Sequence, residues 1–220
     1  MRACAETLEP ETSPEELAAL TDLLKGAGLD GRHLEIGTAA GGTLRELLAS
    51  YPADRRPPFV VIDPMSYFPD QLGTVRRNLA ERGVDPDGVE FRVGFSQDEF
   101  PKAAARGERF QFVFIDGDHS ATGVMRDMMW ARLLEVGGYL CLHDVGPRSP
   151  DVLWVVARFL RKYPNYEKVA HVGTMLALRK RAPSAEPEIS GLDRLLAHPV
   201  KMGIKWRRSL RRRLGNRAAS

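Results

Sequence analysis

The sequence predicts an α/β architecture: a doubly wound, mostly parallel sheet of about seven strands, the last antiparallel, with helices on both faces. Strand-like runs alternate with amphipathic stretches from residue 33 to about 160. Several runs are apolar without alternation, as expected where helices cover both faces of a parallel sheet. Strand–helix–strand crossovers are right-handed, so this alternation builds an open, doubly wound sheet.

Ser13 opens the first helix as its N-cap, with Pro14 in the first turn, and the helix runs to Gly26 or Gly28. Strands are expected at residues 33–36, 59–62, 90–93, 112–115 and 139–142. Helices are expected at 43–50, 71–82, 97–106, 122–134 and 151–162. Runs at 166–172 and 174–179, separated by Gly173, suit a tight antiparallel hairpin at the sheet edge. Pro183 and Pro187 mark 182–188 as a linker, and 192–214 reads as helix. The chain therefore divides into an N-terminal helical segment (1–30), a sheet domain (31–182), and a linker with a basic C-terminal helix (183–220).

Of the 32 Lys and Arg, eight fall in 201–220, where there is no acid. The remaining 24 face 29 Asp and Glu, so the net charge of +3 joins an acidic body to a basic tail. Met202, Trp206, Leu210 and Leu214 recur every four residues among the arginines, a basic amphipathic pattern. Such a helix suits an anionic surface, a second subunit in a homo-oligomer, or docking on its own domain. No stretch approaches the roughly 20 apolar residues of a membrane span. Residues 1–16 lack a signal-peptide pattern, and two cysteines, Cys4 and Cys141, make no disulfide framework. A reducing cytoplasm is expected.

Chemistry concentrates at the strand ends. Glu35-Ile36-Gly37-Thr38-Ala39-Ala40-Gly41-Gly42 leads from the first strand into a helix. Glycines there let a ligand approach the backbone, and the helix start offers free N–H groups. Asp63 ends the second strand, where a carboxylate can accept two hydrogen bonds from a ribose diol; a turn or capping role is the plain alternative. Together they favour an adenosine-containing ligand. The loop lacks Gly-x-Gly-x-x-Gly, which argues against a nicotinamide-dependent oxidoreductase. Asp116, Asp118, His119, His143 and Asp144 come from two strand ends that should be neighbours. Oxygen ligands with a histidine suit Mg²⁺ or Mn²⁺.

The sequence resembles class I S-adenosylmethionine-dependent methyltransferases over roughly residues 33–180. Gly94-Phe95-Ser96-Gln97-Asp98 is similar to the catechol O-methyltransferase group. Phe114-Ile115-Asp116-Gly117-Asp118-His119-Ser120, with Gly137-Gly138-Tyr139 and His143-Asp144-Val145, resembles the bacterial macrocin O-methyltransferase-like branch. The resemblance implies a Rossmann-like fold and O-methylation of a small or sugar-containing acceptor. It implies that Gly37, Thr38 and Gly41 cradle the methionine part of the cofactor and that Glu35 helps hold its amino group. Asp63 would take the ribose, Ser96 and Gln97 would border the adenine, and Asp116 would stand near the sulfur. Ser96 could equally cap the helix that follows, with Glu99 completing a capping box.

The same resemblance implies a metal on Asp116, His143 and Asp144, although His143 stands where the branch usually carries an acid. His119, with an ordinary pKa near working pH, is the expected general base. A metal-independent methyltransferase and a non-catalytic binder with a basic surface-binding tail are the alternatives.

Overall fold

The computed structural model describes residues 10–183, 187–193 and 195–197. Helix α1, Pro14–Ala27, opens with the expected Ser13 N-cap, which forms a capping box with Glu16, and ends at Gly28 in the left-handed conformation. Strands follow at His33–Ile36 (β1), Phe59–Asp63 (β2), Val89–Val93 (β3), Phe110–Ile115 (β4), Leu134–Leu142 (β5), Tyr166–Val172 (β6) and Met175–Lys180 (β7). Between them lie Gly42–Ala49 (α2), Gln71–Glu81 (α3), Ser96–Ala105 (α4), Ala121–Met128 (α5) and Pro150–Lys162 (α6). The sheet order is β3-β2-β1-β4-β5-β7-β6. β7 runs antiparallel to both neighbours, and the β3-β2-β1-β4-β5 pairings are all parallel. The expected doubly wound sheet with one reversed strand is what forms.

Successive residues of each central strand feed opposite cores, as the two-residue period of a pleated strand requires. Leu34, Val60, Val113 and Leu140 face α4, α5 and α6. Phe59, Val61, Phe112, Phe114 and Cys141 face α1, α2 and α3. β1 and β2 are buried throughout, which explains their unalternating apolar sequence.

The structure corrects the stretch expected to be one helix over 122–134. α5 stops at Met128, and Met129–Leu133 tightens into a 3₁₀ turn. That turn buries Trp130 against Phe100 and Phe110. β5 then begins at Leu134, ahead of the expected 139, and its register jumps between Phe110↔Leu134 and Phe112↔Tyr139. Gly137, at φ 91, and Gly138 make the bulge; a Cβ on Gly138 would stand 2.7 Å from the Gln111 carbonyl oxygen. Of the expected C-terminal helix, 191–193 and 195–197 are helical. The basic stretch 201–217 and Cys4 lie outside the described residues. No described helix is long and apolar enough to cross a membrane.

Candidate active site

The parallel strands place their carboxyl ends on one rim, where the β1–α2 loop crosses the end of β4. Gly37 has φ 82, and a Cβ there would collide with the backbone of Asp116. Only glycine supplies both the left-handed turn and that close approach. Gly41, also at φ 82, is the N-cap of α2 and packs against Val75. Glu35 is buried beneath this loop; burial pushes its carboxyl up to about 8. Glu35 Oε2 and Thr38 Oγ1 are buried without a hydrogen-bond partner.

A cleft of about 710 Å³ opens above the loop, lined by Gly37, Asp63, Ser96, Gln97, Asp116 and His119 among others. Asp63 accepts hydrogen bonds from the Thr38 amide at 3.0 Å, the Met65 amide at 2.7 Å and Gln71 Nε2 at 3.1 Å. It therefore braces the β1–α2 and β2–α3 loops as well as facing the cleft. Ser96 does not cap α4, whose N-cap is Phe95. Its hydroxyl instead donates to buried Asp127, whose carboxyl burial pushes up to about 7. Gln97 Oε1 accepts from Arg126 at 3.1 Å.

At the other end of the cleft the two expected strand ends meet. His143 Nδ1 lies 3.1 Å from Asp116 Oδ1 and 4.0 Å from Asp144 Oδ2. His119 Nδ1 lies 3.2 Å from Asp144 Oδ2, and its Nε2 lies 3.7 Å from Asp116 Oδ1. Asp144 turns its carboxylate into the group through a left-handed backbone, φ 57; a non-glycine residue held there stores strain, as residues at working sites often do. Asp118 is drawn away: its carboxylate accepts from the Ser120 amide and hydroxyl and shapes the entry to α5.

Charge couples these groups tightly. Burial opposes ionisation of Asp116, but His119 and His143 outweigh it and hold the carboxyl below its usual value. Asp116 lifts His119 against the cost of burial. Burial disfavours charge on His143, yet Asp116, Asp144 and Glu16 lift it to about 9.

A family model described as a methyltransferase domain matches residues 34–145. The chain belongs to that methyltransferase family. Solved structures agree on the fold. An O-methyltransferase from Bacillus cereus in complex with SAH is 21% identical, with TM-score 0.62 over 77% of this chain and 83% of that one. The O-methyltransferase TomG from Streptomyces achromogenes, in complex with SAM, is 24% identical, with TM-score 0.59 over 77% and 81%. A TDP-rhamnose 3'-O-methyltransferase of calicheamicin biosynthesis is 14% identical, with TM-score 0.60 over 74% and 78%. At these identities the likeness establishes a shared methyltransferase fold.

Three acids of this methyltransferase had no signal in the sequence. Glu11 lines the cleft, and burial together with Asp116 raises its carboxyl. Asp127 is an acid inside a helix, and only the fold buries it. Glu16 lies in the first turn of α1, and only the tertiary fold brings it to His143, 127 positions away.

Proposed function

We propose that this methyltransferase transfers the methyl group of S-adenosylmethionine to a hydroxyl of a small or sugar-containing metabolite, assisted by a divalent cation. The observation that carries the reading is that one cleft is lined both by the cofactor-like loop and by Asp116 and His119 of the acid–histidine rim. Glu35 Oε2 and Thr38 Oγ1, buried and unpartnered, suit a polar ligand, and an ammonium is what a buried carboxylate best accepts. In this reading they serve the methionine end with Gly37 and Gly41. Asp63 serves the ribose, and Ser96 and Gln97 border the adenine. SAM- and SAH-bound O-methyltransferases of the same fold support the choice of donor and of oxygen as acceptor.

The donor supplies an electrophilic methyl on a sulfonium. The acceptor oxygen forms the new C–O bond in line as the C–S bond breaks, and the hydroxyl proton passes to a ring nitrogen of His119. With His119 about half exposed at the cleft mouth, an acceptor can reach it from solvent. Asp144 and Asp116 orient the ring and stabilise its protonated form. One donor atom from each of Asp116, His143 and Asp144 lies within 4.8 Å of the others, a set of hard oxygens and one nitrogen that fits Mg²⁺ or Mn²⁺. A cation held there would supply positive charge that acidifies the acceptor hydroxyl.

One observation favours a second, metal-independent version. His143, lifted to about 9, is itself cationic between Asp116 and Glu16. Cytoplasmic location accords with Cys141, a buried free thiol.

Calorimetry with S-adenosylhomocysteine tests the donor site, and lack of binding sinks the assignment. With an acceptor in hand, His119→Ala should lower turnover on the order of 10²–10⁴-fold, the usual worth of a general base. Excess EDTA should abolish most activity; full activity in EDTA selects the metal-independent version.

A further inference from the structure

We propose that Glu16, on the N-terminal helix, is a positioning residue for His143 and so ties α1 and the β6–β7 turn to the methyl-transfer rim. The proposal rests on the assignment of His143 to that rim. Glu16 is 5% exposed, and its contacts involve both carboxylate oxygens. Oε1 accepts from the amide and the hydroxyl of Thr174, in the hairpin turn. Oε2 accepts from the Ser13 amide at 2.9 Å and lies 3.3 Å from His143 Nε2. The Thr174 and Ser13 donors pin both carboxylate oxygens, so the oxygen facing His143 is held in place.

A helix cap does not require this geometry. A capping box needs the Ser13 amide and nothing from the hairpin. Gly173 has φ +56, and a Cβ on it would collide with Glu16 Oε1, so the turn is shaped around the carboxylate. With Nε2–H held by Glu16, the ring of His143 cannot spin, and Nδ1 stays directed at Asp116 and Asp144. A carboxylate on the far nitrogen is how proteins fix the tautomer and orientation of a working imidazole. Glu16 fixes the ring in the same way whether Nδ1 meets a cation or Asp116 itself.

The test compares wild type with Glu16→Gln and Ser13→Ala, using the full chain. Ser13→Ala removes the side-chain half of the cap but leaves the Ser13 amide, so it should lower the melting temperature without changing His143. Glu16→Gln can still cap, but it removes the anionic acceptor. The ring-nitrogen NMR signals of His143 should therefore shift in Glu16→Gln and stay put in Ser13→Ala. Mn²⁺ affinity by calorimetry should fall about 10–100-fold in Glu16→Gln, the usual cost of losing such a partner, with S-adenosylhomocysteine affinity unchanged. Identical His143 signals in wild type and Glu16→Gln would overturn the inference. Absence of Mn²⁺ binding in wild type overturns the metal assignment alone, since the NMR comparison still decides the role of Glu16. Should Glu16→Gln not fold, Thr174→Ala, which removes one anchor of the carboxylate, must produce the same His143 shift or the inference fails.

Discussion

Single side chains here have meanings that depend on what surrounds them. Glu35 is the clearest case, a carboxyl lifted by burial to about 8 and therefore largely protonated at neutral pH. An ammonium placed beside it would favour the charged form. Ligand binding at pH 7 should then release a proton, approaching one per site. Calorimetry in buffers of different ionisation enthalpy reads this directly, and an enthalpy independent of buffer would show that Glu35 does not meet the ligand's charge. Glu35→Gln should remove the release and weaken binding by about 1.5–3 kcal/mol, the worth of a hydrogen bond to a charged group. Asp63 is subtler, because three donors of its own chain already hold it. Asp63→Ala should loosen two loops as well as weaken S-adenosylhomocysteine, so affinity and melting temperature should fall together.

At the level of elements, β1 carries a buried polar residue whose burial makes it pH-sensitive. His33 Nδ1 lies 2.8 Å from the Gly31 carbonyl oxygen, and its Nε2 lies 2.7 Å from the Tyr51 hydroxyl. The ring is therefore held neutral, donating to the carbonyl and accepting from tyrosine, and burial lowers it to about 4. The folded value lies below the ordinary 6.5, so the unfolded chain binds the extra proton first. Its stabilising contribution is complete above about pH 6.5 and is lost as pH falls towards 4, by about 3 kcal/mol in all. Urea denaturation at pH 7 and pH 4.5 should show a smaller drop in His33→Gln than in wild type. Equal drops would place the acid sensitivity elsewhere.

For the molecule as a whole, the segment after the sheet is stapled back onto α6. Asp193 is buried and accepts from Arg158 and from the Ser190 amide and hydroxyl, with Lys162 at 3.5 Å. Ile189 and Ala197 join the core over α5 and α6. Asp193→Ala should destabilise the fold by about 1–3 kcal/mol through the unpaired donors left behind. S-adenosylhomocysteine affinity should stay near wild type, because this staple lies away from the cleft lining. Loss of binding in a folded Asp193 variant would mean that the C-terminal segment supports the donor site.

The sequence alone determined the alternation of strands and helices, the reversed last strand, the loop at Gly37 and the convergence of two strand ends. Those features are local or periodic: apolar runs record burial on two faces, and glycine records a conformation or contact other residues cannot take. Tertiary structure decided the rest. Trp130 ended a helix early because its ring had a core to fill, and Ser96, which its neighbours suggested as a cap, became a partner of Asp127. The helix that Glu16 begins was legible from Ser13 and Pro14, yet the contacts of Glu16 with Thr174 and His143 connect positions 158 and 127 apart. No window of sequence carries such a pairing, because the pattern around each residue reports its own element, while a buried charge is satisfied by whatever the fold brings alongside.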